Sequence, residues 1–568
     1  MTLFSVARFL AATALAWILW RIVLTFFRKS PLDNIPGPSP HSFWTGSFRA
    51  LFDPQGWDFH HNLAQKYGGV VRIDGPMRSK MLYVFDPLAL YHIIVKDQPI
   101  FSRNHVDILV SHLMFGEGLL SVGSGTQHRR QRKMLNPVFN ILHLRSLTPV
   151  FYAVAHKLRT GLTSKVINGP VEVIKILSCD NKLGIHSIGL SQIDVLHWMS
   201  RCALELIGQG GLGYSFDNLM DSSGEAGHPY SEALSGMEPL LIHLNLATRF
   251  ILPWASKIGT ARFRRTVVDW VPWKALHEFR DMLDVMNLTT RQIFEEKKRA
   301  INSGMIEKDG GKDIMSILRK LAIQKEDRLP DEEVLGQMST LIFAATETTS
   351  TALAHILYLL AQNPDVQDRL RAELTEAQET IDGDIPYDAL MQLSYLEAPS
   401  RTSCSHYLLL TIVMAHRTLA DTVLPLATPL RGYDGTEMHA LHIPRGTNLM
   451  LSVHNANRAP TVWGPDAAEW KPARWLGPLP ETVVEAPATG VYRHLYEFQS
   501  TLDMCRCGFK FAQLEMSTCC IVFMLELLIQ LTTEAVLAVI LPRVPRFASQ
   551  TADRVESWVH RDSWRCGH

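Results

Sequence analysis

The sequence predicts a mainly α-helical protein with a small β portion. Residues 330–361 are almost wholly apolar and end before Asn363 and Pro364, which predicts one long helix buried through the middle of a large domain. Helical spacing also marks residues 57–67 and 193–206. Alternating apolar residues at 70–74 and 81–85 predict one short hairpin.

The composition indicates a globular protein without a nucleic-acid partner. Of the 568 residues, 46% are hydrophobic, which is enough to bury a large core. The 56 basic and 56 acidic residues give a formal net charge of zero, so no long-range field attracts nucleic acid. The eight cysteines have neither paired zinc spacing nor the density of a disulfide framework, which favours a reducing compartment.

The N-terminus predicts a membrane anchor, which we place at residues 1–30. Residues 9–27 are apolar apart from two threonines and Arg21, and a helix of that length spans about 30 Å, the thickness of a bilayer core. Arg28 and Lys29 then favour a cytoplasmic position for the following chain. A cleaved signal peptide is the alternative, but its cleavage site, Ala12 to Ala14, would lie inside the apolar run.

Residues 31–40 contain four prolines and predict a stiff, extended hinge without helix. Residues 41–568 would then form the functional domain.

A basic helix is predicted around residues 125–137, where positions 128–133 carry five positive or titratable side chains. Such a helix is most simply a solvated basic face. The alternative is a surface that docks an acidic partner or binds the carboxylates of a cofactor. His128 and Arg132 are four residues apart and would share one face of the helix.

The long helix carries a polar cluster at its centre, in residues 343–350. Ala344 precedes Glu347 and Thr348, and a buried polar group costs about 1 to 3 kcal/mol unless it is satisfied. Threonine hydroxyls that bond to the preceding helical turn are the structural explanation. A groove that delivers protons beside a cofactor is the functional one.

Residues 498–511 predict an aromatic-led loop that carries thiols into a helix, with Phe498, Cys505 and Cys507 as its marked residues. Most such cysteines are small core residues. A thiolate at a helix start is, however, stabilised by the helix dipole and can bind a metal, which makes haem iron the cofactor to test.

Together these segments resemble the cytochrome P450 family of haem-thiolate monooxygenases, and most of all its microsomal fungal members. Residues 344–349 resemble the family's oxygen-activation signature, and residues 498–511 resemble its haem peptide. Residues 129–137 are similar to the haem-propionate helix, with His128 where a tryptophan is usual and Arg132 in the arginine position. Residues 463–467 and 471–475 are similar to the segment that precedes the haem loop.

The resemblance implies a prism-shaped, mainly α fold and a haem b cofactor (iron protoporphyrin IX). Cys505 would bind the iron, with Cys507 as the alternative ligand, and thiolate ligation favours cleavage of the O–O bond of dioxygen. Thr348 would hold dioxygen and water, and Glu347 would relay protons. His128, Arg132, Ala344 and Phe498 would contact the haem.

The resemblance also implies the partners. These are NADPH-cytochrome P450 reductase, dioxygen, a lipophilic terpenoid-like or sterol-like substrate, and the endoplasmic reticulum membrane, crossed once with the catalytic domain in the cytosol.

Two departures from the family pattern leave a second functional class open. The Glu-x-x-Arg pair that should hold Arg474 is absent after residues 393–398, and Pro399 is expected to break the helix there. Losing one partner of a buried ion pair costs about 3 to 5 kcal/mol. In the haem loop, Thr501 and Asp503 occupy the glycine and arginine positions. The alternative is therefore a non-catalytic, degenerate relative or the product of a faulty gene model.

Overall fold

The computed structural model describes residues 30–53, 56–123, 125–167, 171–172, 191–192, 194–220, 228–303, 330–407, 414–486 and 505–522, and the single residues 13, 17, 20 and 524. These parts are mainly helical with a small amount of sheet, as the sequence predicts. None of their helices is long and apolar enough to cross a bilayer. The predicted anchor at residues 9–27 lies outside the described residues except for positions 13, 17 and 20.

The described helices follow the chain in this order: α1 Phe48–Leu51, α2 Trp57–Tyr67, α3 Pro87–Tyr91, α4 His105–Phe115, α5 Thr126–Leu135, α6 Ile141–Ile167, α7 Val195–Leu206, α8 Pro229–His243, α9 Asn245–Phe250 and α10 Leu252–Ala255. They continue with α11 Ala261–Trp270, α12 Lys274–Asn302, α13 Asp331–Gln362, α14 Pro364–Glu379, α15 Tyr387–Leu390, α16 Ser394–Tyr407, α17 Val453–Asn457, α18 Pro460–Trp463, α19 Glu481–Glu485 and α20 Cys505–Val522. The strands are β1 Val70–Asp74, β2 Lys80–Val84, β3 Phe101–Arg103, β4 Val171–Glu172, β5 Ser191–Gln192, β6 Met414–Thr418, β7 Thr422–Arg431, β8 Glu437–Ile443 and β9 Asn448–Leu451.

One compact unit, residues 1–102 with 412–456, contains the main sheet. Its strand order is β1-β2-β9-β6-β3. Strands β1 and β2 pair antiparallel with Val70 opposite Val84, which confirms the predicted hairpin. Strand β2 pairs parallel with β9, and β7 and β8 form a separate antiparallel pair. The apolar side chains of β1 and β2 are buried, so the sheet has its own core.

The proline-rich segment belongs to this unit and is partly helical. Pro31–Asn34 forms a 3-10 turn that begins with a reciprocal cap between Ser30 and Asp33, so the prediction of a helix-free hinge is wrong at its start. Proline suits the first position of a helix, where its missing N–H would be unpaired anyway. Gly37 N–H donates to Tyr433 Oη at 3.1 Å, and that hydroxyl donates back to Gly37 O at 2.9 Å. The segment therefore packs against the β7–β8 pair.

The second unit, residues 103–411 with 457–568, is built around α13. Helices α4, α7, α12, α14, α16 and α20 all contact it. Gly118 and Gly336 allow the closest approach: a Cβ on Gly336 would lie 2.3 Å from Gly118 N, and a Cβ on Gly118 would lie 2.3 Å from Gly336 O. The start of α13 therefore meets the loop after α4 backbone to backbone. The predicted bounds of this helix, residues 330–361, agree with the observed Asp331–Gln362.

Helix α16 continues through Pro399 to Tyr407, so the prediction that this proline breaks the helix is wrong. Proline removes one N–H bond and costs about 3 kcal/mol in a helix interior. Two features of the structure oppose that cost. The Glu373 carboxylate accepts the N–H groups of Tyr395 and Leu396 at 2.9 and 2.8 Å, and the side chains of Leu396 and Ala398 are buried.

The missing Glu-x-x-Arg pair is replaced by other contacts. Arg474 Nη2 lies 3.0 Å from Asp466 Oδ1, and its guanidinium donates to the carbonyls of Asp466 and Trp463 at 2.8 and 3.2 Å. Arg474 therefore has an acidic partner within its own segment.

Two indoles join this segment to α16. Trp475 Nε1 donates to Thr402 Oγ1 and Trp470 Nε1 donates to Ser403 Oγ, each at 3.1 Å. Arg401 of α16, which is ion-paired with Glu397 at 2.9 Å, also lies over the Trp475 ring. Neutral hydrogen bonds and this cation–π contact thus join the two segments.

We expect Thr402→Val to lower the free energy of unfolding by about 1 kcal/mol, because it leaves the Trp475 indole N–H without its acceptor. Urea unfolding measures the change. Thr402 Oγ1 also donates to Ala398 O at 2.7 Å. Thr160→Val is the control, since Thr160 Oγ1 makes the same kind of bond to His156 O at 2.9 Å but is exposed. Equal effects of the two substitutions would show that the indole bond contributes nothing.

Candidate functional site

The centre of α13 has one accessible face on an otherwise buried helix. Residues 333–342 and 353–361 are buried, whereas Phe343 and Ala345 in the middle of the helix are only half-buried, and so are Ala344, Glu347, Thr348, Thr351 and Ala352. The last four of these are spaced three, four, seven and eight residues from Ala344, which places the last five on one side of the helix. Glu347 and Thr348 of the predicted polar cluster therefore lie on the less buried side of α13, whereas Thr346, Thr349 and Ser350 are buried.

The hydroxyls of Thr348 and Thr349 make hydrogen bonds to two different helices. Thr348 Oγ1 donates to Ala344 O at 2.6 Å, which confirms the bond to the preceding turn. Its oxygen still has lone pairs that can accept a hydrogen bond from a ligand or water. Thr349 points elsewhere, since its Oγ1 donates to Glu515 Oε2 of α20 at 3.0 Å. Because Thr348 keeps these lone pairs, its bond to the backbone is compatible with a role in ligand binding.

Glu347 is a buried carboxyl suited to proton transfer. Its Oε1 is shielded from solvent and has no hydrogen-bond partner among the described residues. Burial raises the pKa of Glu347 to about 7, and the negative charge of Glu238 on α8 adds to the rise. A carboxyl with this pKa can both donate and accept a proton near neutral pH.

Helix α20 begins at Cys505, so both marked thiols lie in its first turn, and the helix contacts α13. The side chains of Cys505 and Cys507 and all of Phe498 lie outside the described residues, so their predicted roles stay predictions.

Further along α20 the thiols belong to the core. Cys519 Sγ lies 3.7 Å from Cys202 Sγ with both side chains fully buried, and burial raises the pKa of Cys520 to about 12. Neutral, inaccessible thiols of this kind are packing residues.

The basic helix α5 divides its charges between solvent and interior. Arg129 and Lys133 are exposed. Arg130 forms an ion pair with Glu333 at the start of α13, and Gln131 Nε2 donates to the same carboxylate at 3.0 Å. Sequence reasoning missed Glu333, because its position in an acidic first turn predicts a contact with the helix dipole and not with a distant helix.

Arg132 is a second cation of this helix that faces inward. Its Nη1 is buried and has no hydrogen-bond partner within the described residues. A buried guanidinium nitrogen without an acceptor is costly, and a ligand carboxylate would satisfy it. Together with the accessible face of α13, this fits the propionate and the flat ring of the haem that the sequence predicts. His128 is half-buried on the same helix, and its predicted contact with haem stays a prediction.

An apolar cavity of about 1130 Å³ lies beside the N-terminal part of α13. Its walls come from α4, α9, α10, α11, α12 and the first turns of α13. Phe115 lines it, and the Phe115 ring packs against Phe343 with centroids 4.8 Å apart, immediately before Ala344. Sequence reasoning missed the cavity, because its walls come from segments far apart in the chain.

Comparisons with known proteins agree with this geometry. The family model described as Cytochrome P450 matches residues 35–479. Cytochrome P450 monooxygenase 91 of Postia placenta is 45% identical over 521 residues, which cover 90% of each chain. A ganoderic acid synthetase of Ganoderma lucidum is 38% identical over 515 residues, 89% of each chain, and a cytochrome P450 monooxygenase of Hericium erinaceus is 34% identical over 501 residues, 86% of each chain.

We expect the stability of the protein to depend on pH through Glu347. A carboxyl whose pKa is raised from 4.5 to about 7 on folding stabilises the fold fully below its ordinary pKa, and this contribution is lost as the pH rises through about 7. The parent should therefore lose stability relative to Glu347→Gln between about pH 5 and about pH 7 and change little above that. Urea midpoints across this range measure it. Glu376→Gln, at an exposed helix position, is the control. Parallel pH profiles of the parent and Glu347→Gln would contradict the raised pKa.

Proposed function

Because the chain belongs to the cytochrome P450 family of haem-dependent monooxygenases, we propose that it is a membrane-anchored enzyme that oxidises a lipophilic, terpenoid-like or sterol-like metabolite. The observation that carries this proposal is the accessible face of α13, where Glu347 and Thr348 lie together on a helix in contact with α20. One of the relatives is named for the synthesis of ganoderic acid, which supports a small-molecule metabolite as the substrate.

Haem, when bound by a thiolate, supplies the activation of dioxygen, of which one atom enters the substrate and the other leaves as water at the expense of two electrons and two protons. The chain's own residues bind the haem and supply the protons. Arg132 holds a propionate, Cys505 provides the thiolate with Cys507 as the alternative, and Thr348 accepts a hydrogen bond from water. Glu347 donates protons from a carboxyl whose raised pKa keeps a substantial neutral fraction near neutral pH.

The electrons come from an NADPH-cytochrome P450 reductase in this proposal. The exposed side chains of Arg129 and Lys133 form a small basic surface on the helix that also presents Arg132 inward. Such a surface attracts an acidic partner and orients it during encounter. A reductase docked there would face the helix that binds the cofactor.

The apolar surface of α9 to α11 supports contact with a membrane. Trp254 and Trp270 are 74% and 83% exposed, and Ile251, Ile258 and Phe263 are each more than half exposed. Tryptophan is favoured at the interface between water and lipid, and Arg262 nearby suits lipid headgroups. Ile251, Ile258 and Phe263 also line the cavity, so a lipophilic substrate could enter it from the lipid phase. With residues 9–27 as anchor, we place the enzyme on the endoplasmic reticulum with this domain in the cytosol.

A non-catalytic relative is the second candidate. One observation favours it: Asp503 stands where the family pattern has an arginine, and a carboxylate there would repel a haem propionate. Residue 503 lies outside the described residues.

The reduced carbon monoxide difference spectrum separates the two candidates. We expect the full chain to show the red-shifted Soret band of thiolate-ligated haem, Cys505→Ala to lose it, and Cys507→Ala, the matched control in the same helical turn, to keep it. The opposite result for the two variants would assign the iron to Cys507. Absence of the band in the parent would favour the non-catalytic candidate.

Membrane binding is tested by flotation with vesicles that contain anionic lipid. The full chain should float, a chain lacking residues 1–30 should float less, and Trp254→Ala with Trp270→Ala in the shortened chain should lower the bound fraction roughly tenfold. Trp44→Ala is the control, because Trp44 is 72% exposed but lies in the other unit. Equal flotation of all shortened chains would contradict the proposed membrane face.

A further inference from the structure

Four arginines contribute to the lining of the apolar cavity, and three of them are already neutralised. Each of the three forms an ion pair: Arg265 Nη2 with Asp284 Oδ2 at 2.5 Å, Arg280 Nη1 with Asp269 Oδ1 at 2.8 Å, and Arg291 Nη2 with Glu332 Oε2 at 3.0 Å. These side chains balance their charges within the protein, so they leave little attraction for a charged ligand.

Arg264, the fourth, differs from its neighbours. Its Nη1 donates to Gly259 O at 2.9 Å and is 3.5 Å from Ile258 O, and it makes no ion pair with a described carboxylate. The side chain is half-buried on α11, whose apolar residues Phe263 and Val267 line the same cavity. Backbone carbonyls orient the guanidinium but leave its positive charge uncompensated.

The missing partner of such a guanidinium is an anion of matching geometry. Arginine presents paired N–H groups in a plane, which suits a carboxylate through two parallel hydrogen bonds. Beside an apolar wall such a bond is less weakened by water than at an open surface. The rest of the cavity lining is mainly apolar, so a ligand with one anionic group and an apolar skeleton would match it.

We propose that the cavity binds a lipophilic carboxylic acid, with its carboxylate on the guanidinium of Arg264 and its skeleton against the apolar walls. This inference rests on the proposed function, because it names the chemical class of the substrate. Arg264 belongs to the wall formed by α11, whereas Phe115 belongs to the wall formed by α4, which contacts α13. The acid end is thus held at one wall, and the apolar part of the ligand extends toward the Phe115–Phe343 pair that precedes Ala344.

Calorimetric titration of the haem-loaded full chain tests the proposal without any turnover. The probes are laurate with 1-dodecanol, and a tricyclic diterpene acid with its primary alcohol, so that each pair differs only in the head group. We expect the parent to bind each acid about tenfold or more tightly than its alcohol, which corresponds to about 1.4 kcal/mol. In Arg264→Gln the ratio should fall to about one while the Kd of the alcohol stays unchanged, and Arg264→Lys should keep part of the preference.

Arg265→Gln is the matched control, because Arg265 lies on the same helix and lines the same cavity but already holds Asp284. The proposal is overturned if acid and alcohol bind the parent equally, if Arg264→Gln and Arg265→Gln lose the preference to the same extent, or if no probe binds. The outcomes distinguish this inference from the proposed function. If the chain prefers acids but lacks the thiolate band, the ligand site stands and the proposed function fails. If the band is normal but acids are not preferred, only this inference is refuted.

Discussion

The structure of the helical unit depends on burying α13, a helix of 32 residues that is apolar on nearly every side. Such a helix is stable only where other elements cover it, and α4, α7, α12, α14, α16 and α20 do so. Its central face is the exception. Glu347 and Thr348 lie there and are only half-buried, so packing is interrupted where the ionisable side chain in the middle of the helix lies.

Polar contacts fix α13 against the helices that would hold the cofactor. Near its N-terminus, Glu333 binds Arg130 and Gln131 of α5, the helix that also carries Arg132. In its middle, Thr349 donates to Glu515 of α20. Burial raises the pKa of Glu515 well above its usual range, so this bond joins neutral groups. These two attachments position the inward-facing arginine and the thiol-bearing helix against the same central helix.

The junction between α16 and the segment around Trp475 shows how a fold can keep an arrangement after losing a familiar contact. An ion pair in this position would bring a high cost of desolvation, which its attraction must overcome. Indole–hydroxyl bonds from Trp470 and Trp475 carry a much smaller cost, and Arg474 finds Asp466 nearby. The absence of Glu-x-x-Arg is therefore compatible with an ordered junction.

The sequence by itself determined the features that depend on local chemistry. Apolar periodicity set the length of α13, alternation set the β1–β2 hairpin, and residue order placed Cys505 at the start of a helix. Tertiary structure decided what depends on distant partners: that Pro399 stays within a helix capped by Glu373, that Arg132 faces inward while Arg129 faces solvent, and that Arg264 lacks the carboxylate its neighbours have. A local pattern specifies which groups are present. Only packing between segments far apart in the chain decides which of those groups remain unsatisfied, and the unsatisfied groups are the ones available to bind a ligand.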